Sequence, residues 1–270
     1  YLILNYNNYI EMNSEDKKMI GVVGGMGPYA GLDLVKKIFD ETNAKTDQDH
    51  IPVSMLSSPH TIADRTEFLM GESTENPAIA ISKVIHKLYA QGATVIGMPC
   101  NTAHADLIFN EILNHIPTEI KFIHMIRQVA NFLKNEYPSF KKIGVLSTAG
   151  TSISNVYQNA LARYGLTELK VSSEIQNSTI DPAIYSKTYG VKAFSNPVTE
   201  QAKNDLSSGI DHLINNGAEA VILGCTEIPL AVTEQNVNGV PIIDSTKVLA
   251  RALISASSPH SLLPENDTKN

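Results

Sequence analysis

Two side chains dominate the chemistry open to this chain: Cys100 and Cys225, the only cysteines in its 270 residues. Each closes a near-equivalent segment, GATVIGMPCNT over 92–102 and GAEAVILGCTE over 217–227. A Gly-Ala turn leads into an apolar run of strand length, and the cysteine stands at its carboxyl end. Ligands of open α/β sheets sit beyond that end of the strands. Two such strands in two related halves would put one thiol on each side of a small molecule, the arrangement needed for two-base proton transfer.

A weakly acidic C–H such as an amino acid's α-proton, removed and returned on the opposite face without a cofactor, needs a base on one side and an acid on the other. A thiol titrates near 8.5, and a helix N-terminus or a cation can bring it into the neutral range. Both cysteines precede residues that can open a helix, Asn101-Thr102 and Thr226-Glu227, whose free N–H groups would also hold a carboxylate. A lone cysteine is usually a small buried hydrophobe. Two in duplicated contexts favour function.

The elements that must position these thiols repeat as well. Lys18-Met-Ile-Gly21-Val-Val returns as Lys142-Ile-Gly144-Val-Leu; the glycines lie 123 residues apart and the cysteines 125. Two anchors at nearly one spacing indicate an internal duplication and pseudo-twofold symmetry. In the first half the pattern predicts strands at 19–24, 53–56 and 94–98, helices at 31–44 and 76–91, and a helix from Thr102. In the second it predicts strands at 143–147, 169–172 and 220–223, with helices at 152–164 and 197–216. A strand at 241–243 and a helix at 246–256 follow. Alternating strands and helices mean an α/β fold with a mainly parallel sheet in each half and the site in the cleft between them. The expected domains are 18–117, completed by 240–257, and 118–239. Residues 1–17 and 258–270 are expected to be tails, the latter frayed.

Bulk composition narrows the function. A chain that is 43% hydrophobic can bury a full core. A net charge of −7 without a clustered basic surface argues against nucleic acid. Two cysteines and no zinc-like Cys/His spacing fit free thiols in a reducing compartment. Residues 1–11 lack the basic and apolar regions of a secretory signal, Met12 reads as a natural start, and no apolar run approaches the roughly 20 residues of a membrane span. A cytoplasmic setting is expected.

Five strings in order, GGMGP (24–28), DRT (64–66), MPCNTAH (98–104), TAGT (148–151) and ILGCTEIPL (222–230), resemble the aspartate branch of the cofactor-independent aspartate/glutamate racemase family. The resemblance runs from about Met19 to Ala256. It implies a two-domain, homodimeric enzyme without pyridoxal phosphate, flavin or metal, with Cys100 and Cys225 as opposed acid and base. It further implies that Asn101, Thr102 and Thr226 bind the substrate's α-carboxylate, and that Arg65 and Lys192 bind a side-chain carboxylate.

The residues themselves allow other readings. Arg65 offers a planar fork that matches a carboxylate, or a surface pair with Asp64. Lys192 alone is ordinarily a solvated lysine. His104 and Glu227 suit caps or hydrogen-bond partners behind the thiols. The turn holding Met26 lacks the phosphate-loop and dinucleotide glycine spacings, so its glycines would let backbone approach a substrate. Thr148 would sit in the matching turn of the second half, as a substrate contact or an ordinary cap. The competing functions are a racemase for glutamate or another amino acid, a related isomerase or decarboxylase, and a non-catalytic binder of small acids. A binder would have no use for paired thiols.

Overall fold

The computed structural model describes residues 17–264. The leader and Met12 lie outside them, as does the end of the tail, 265–270.

The first half is built from β1 (Met19–Gly24), α1 (Pro28–Asp40), β2 (Val53–Ser57), α2 (Arg65–Leu69), α3 (Ala78–Ala90), β3 (Ala93–Gly97), α4 (Asp106–Asn114) and β4 (Lys121–Phe122). After α5 (Met125–Glu136), the second half adds β5 (Lys142–Ser147), α6 (Ala149–Ile153), α7 (Val156–Ala162), β6 (Thr167–Leu169), α8 (Ser173–Ile175), α9 (Asp181–Tyr185) and α10 (Glu200–Asn215). It closes with β7 (Ala220–Gly224), β8 (Asn236–Val237), β9 (Val240–Asp244) and α11 (Ser245–Ser257).

The sheets run β2-β1-β3-β4 and β6-β5-β7-β9-β8. All neighbours are parallel except the β8–β9 edge. Omitting β8, the two orders coincide, so the duplication read from the glycine and cysteine spacings is a duplication of sheet topology. The central strands β1, β3, β5 and β7 are apolar and buried because helices cover both faces of each sheet.

The last helix of each half packs on the other half's sheet. Ile126, Val129 and Leu133 of α5 join the core around Ile143 and Val145 of β5. Leu249, Leu253 and Ile254 of α11 join the core around Ile20, Val22 and Val95. Leu253 lies so close to β3 that a β-carbon on Gly97 would fall 2.5 Å from its Cδ1. This exchange corrects the expected domain limits. The first sheet continues past Pro117 to β4, whose Phe122 pairs with Ile96. The strand at 240–244 pairs with β7 in the second sheet, and only the helix after it crosses back.

Local departures have local causes. The helix expected over 152–164 is broken at Asn155, which sits in the left-handed region at φ 54°. The second strand of the second half, expected over 169–172, ends at Leu169; Lys170 and Val171 are loop, and Ser172 caps α8. Residues 258–264 are not frayed: Leu262 bridges Thr42, and the Leu263 N–H donates to the Glu41 carbonyl.

Candidate active site

Cys225 follows β7 directly, whereas Cys100 stands three residues beyond the end of β3. Neither opens an α-helix. Single 3₁₀ turns follow, Thr102–His104 and Ile228–Leu230, in place of the α-helix N-termini expected behind the thiols.

The Cys225 thiol donates to Glu227 Oε2 at 3.0 Å, and both residues are buried. Burial, and then the neighbouring carboxylate, push this thiol well above its ordinary value. Glu227 Oε1 accepts from Lys192 Nζ at 2.8 Å and from the Gly27 N–H at 3.0 Å. Burial opposes the charge on Glu227, but Lys192 and these donors hold the carboxylate below its usual range. Lys192, expected at a substrate carboxylate, lines the same pocket and pairs with Glu227, with its ammonium 5.6 Å from the Tyr185 ring centroid.

Cys100 has a different neighbour. Arg65 is the first residue of α2, held there by Asp64, whose Oδ1 caps the helix by accepting from the N–H groups of Thr66 at 2.7 Å and Glu67 at 3.1 Å. The Asp64–Arg65 pair is loose at 3.9 Å. Arg65 Nη1 donates to the Ala63 carbonyl at 3.2 Å, and its buried Nε has no protein partner. Burial works against the guanidinium's charge, which the Cys100 sulfur and then Asp64 favour.

The hydroxyls expected at the α-carboxylate bridge the halves. Thr102 Oγ1 lies 2.8 Å from Thr151 Oγ1 and 3.4 Å from Thr148 Oγ1. Thr226 donates to the Pro99 carbonyl at 3.2 Å. Asn101 reaches into the second half, where its Oδ1 accepts from the Tyr157 hydroxyl at 2.6 Å. Thr148 also caps α6. Beside them the Gly25–Gly27 turn comes in close. Gly25, at φ +102°, leaves 2.9 Å between a would-be β-carbon and Pro59 N, so no larger residue fits.

One pocket is lined by Met26, Arg65, Thr66, Cys100, Asn101, Thr102, Thr148, Tyr185, Lys192, Cys225, Thr226 and Glu227. Every expected site residue except His104 is brought together. Water-accessible space there is only about 10 Å³, about what one water occupies. His104 is instead a core residue: fully buried, stacked on Phe109, with Nε2 3.1 Å from the Met98 carbonyl. The sequence reading passed over Tyr185, Tyr157 and Thr66. The first two lie in helices without a motif; Thr66 stands inside the quoted DRT string.

The family model for Asp/Glu/Hydantoin racemase matches residues 23–253. The chain belongs to this racemase family. A solved aspartate racemase from Picrophilus torridus is 31% identical, with TM-score 0.76, over 92% of this chain and 97% of that one. The broad specificity amino-acid racemase RacX of Bacillus subtilis is 27% identical over 88% of this chain and 97% of its own length. A glutamate racemase of Limosilactobacillus reuteri is 25% identical over 81% and 72% respectively. The chain is therefore an isomerase of the amino-acid racemase type. The matched span begins inside β1 and ends within α11, so it takes in all twelve residues lining this pocket.

Proposed function

We propose that this racemase interconverts L- and D-aspartate by a two-base mechanism, with Cys100 and Cys225 acting on opposite faces of the α-carbon. The observation that carries the reading is that two thiols at the ends of equivalent strands share one pocket yet have unlike partners, Arg65 beside Cys100 and Glu227 beside Cys225. One-step inversion requires such inequality, since at each instant one sulfur must lack the proton that the other holds. In one direction the Cys100 thiolate removes the α-proton and the Cys225 thiol supplies a proton to the other face. In the reverse direction the roles exchange.

Asn101, Thr102, Thr148 and Thr226 would hold the α-carboxylate once the closing bonds between them open, and Met26 would pack beside the substrate. With Lys192 paired to Glu227, Arg65 supplies the remaining positive charge, which suits the single net negative charge of a dicarboxylic amino acid. The likeness to the Picrophilus aspartate racemase supports aspartate in particular. By family likeness the reading includes a homodimer in the cytoplasm that works without pyridoxal phosphate, flavin or metal. Among the described residues no helix is long and apolar enough to cross a membrane.

A second reading, broader amino-acid specificity, draws on the same Lys192–Glu227 pair: it leaves a substrate side chain one cation rather than two, and RacX is a relative of that type.

The deciding experiment incubates single enantiomers of aspartate, glutamate and alanine with the protein in deuterated water and follows optical rotation and α-deuterium by NMR. Aspartate should racemise fastest, with solvent deuterium in the product and little in recovered substrate early on. Cys100→Ala and Cys225→Ala should each abolish turnover without unfolding the protein. Near-normal turnover in either variant would remove that thiol from the mechanism, and equal rates on alanine would favour broad specificity.

A further inference from the structure

We propose that a groove along α3 is a second ligand site, which takes a short peptide with free termini and acts on the racemase as an effector. The groove is a cavity of about 440 Å³ between one face of α3 and the turn at 58–61 that follows β2, a volume within the range of ~300–1,000 Å³ usual for small-molecule sites. It shares no lining residue with the thiol pocket. Its chemistry changes along the helix: Glu75 lies just before α3, Ile79 in the first turn, and Lys83 and Lys87 follow on the same face. Among the described residues, none of these three charges has a protein partner. Ile79 is 42% exposed between them. The duplicated frame does not require this pattern. At the 125-residue offset of the cysteines, α10 carries Asn204, Ser208 and His212 where α3 carries Ile79, Lys83 and Lys87.

The order of the charges selects the ligand. A carboxylate at one end pairs with the two lysines, an ammonium at the other pairs with Glu75, and an apolar side chain between them covers Ile79. Lys83 and Lys87 stand five and nine residues past the first residue of α3, about 8 and 14 Å along its axis. An extended tripeptide spans roughly 10 Å and meets both ends. A single amino acid carries both charges on one carbon and meets only one. A simple anion would leave Glu75 lining its own site unpaired. The turn at 58–61 links the groove to the thiol pocket. Ser58 and Pro59 press on Gly25 so closely that a β-carbon there would lie 3.0 and 2.9 Å from their backbone nitrogens. Three residues after Thr61, Asp64 caps the helix that begins with Arg65. A peptide held against Ser58 and Thr61 therefore fixes the segment that sets both the Gly25 turn and Arg65, which couples the two sites.

The test titrates the tripeptide alanyl-leucyl-alanine into the full chain by calorimetry at low salt, beside its N-acetylated and C-amidated forms. One peptide per chain should bind, and each blocked terminus should weaken binding about fivefold, the scale of a well-placed ion pair at a partly exposed site. Glu75→Gln should weaken the free peptide and cancel the effect of N-acetylation, while Lys83→Met combined with Lys87→Met should cancel the effect of C-amidation. This matching identifies which charge meets which. All three side chains are exposed, so the variants should keep the wild-type melting temperature and basal racemisation. Saturating peptide should change kcat/KM for aspartate about threefold or more in wild type and leave the lysine variant unaffected. Equal affinity for free and blocked peptides, or equal binding of leucine alone, would overturn the site. Displacement of the peptide by aspartate alone in the lysine variant would place it in the thiol pocket instead, and binding with unchanged kcat/KM would overturn the effector role. A protein that does not racemise aspartate would be a different failure, that of the substrate reading, and the calorimetry decides the groove without it.

Discussion

Gly150 of α6 and Thr66 of α2 touch across the cleft so closely that a β-carbon on Gly150 would lie 2.4 Å from the Thr66 hydroxyl oxygen and 3.0 Å from its α-carbon. The closed pocket therefore depends on a missing side chain. Gly150→Ala should hold the halves apart, raise KM for substrate about tenfold or more and weaken kcat, because loose placement of reacting groups is penalised steeply. Thermal stability should change little, or rise slightly, since alanine is the better residue within a helix. Steady-state kinetics and a melting curve check both expectations.

Arg65 has one weak carboxylate neighbour and an unpartnered buried Nε, a state that suits a group waiting for an anion. Arg65→Ala should reduce kcat/KM for aspartate about 100-fold or more, on the scale of a lost charge-assisted bidentate contact. Arg65→Lys keeps the charge without the fork and should fall between. Equal activity in wild type and Arg65→Ala, measured from either enantiomer, would return Arg65 to a structural role.

Tyr157 donates the 2.6 Å bond that orients Asn101 beside Cys100. Tyr157→Phe leaves Asn101 Oδ1 buried without that donor and should destabilise the protein by about 1–3 kcal/mol. Urea unfolding would show this as a lower midpoint at unchanged slope. Activity should fall with it, because Asn101 loses its fixed orientation.

Stability should decline on mild acidification. The rings of His104 and His124 lie 4.8 Å apart between centroids. Burial holds the His104 pKa down to about 4. Burial, and then the neighbouring His104, hold that of His124 down to about 2. Unfolded, each titrates near 6.5. Below that value the unfolded chain binds protons that the native state refuses, so this stability is complete above about pH 6.5 and is lost as pH falls toward 4. Each histidine should contribute up to about 1.4 kcal/mol per pH unit in that window. His124→Asn preserves a cap for the Arg127 N–H and should roughly halve the slope measured by urea unfolding between pH 6 and 5.

The duplication was legible because Gly21 and Gly144, like Cys100 and Cys225, are fixed points of a repeated topology, and buried parallel strands write themselves as apolar runs. The thiol pocket was legible for the same reason. Long-range pairing left no such trace. Nothing local in Lys192 or Glu227 reveals that they meet each other, since the pair joins a loop to a turn 35 residues on. His104, read as a cap or hydrogen-bond partner behind the thiol, holds the Met98 carbonyl from within the core, and its packing against Phe109 has no signature in the sequence around it. The second-sheet place of β9 was hidden too: Val240–Asp244 is apolar enough for either sheet, and only the exchange of α5 and α11 decides where the chain must cross.

That exchange, with the matching strand orders, has a consequence for ancestry. A half-length chain pairing with its own copy could form the same reciprocal contact, each final helix resting on the other copy's sheet, and would bring two identical thiols to one cleft. Identity would be its limitation, because any change beside one sulfur would appear beside both. Joining the copies in one gene removes that constraint. An arginine can then be selected next to the first thiol and a glutamate next to the second, and the covalent link becomes the means by which a symmetric frame acquired unequal halves.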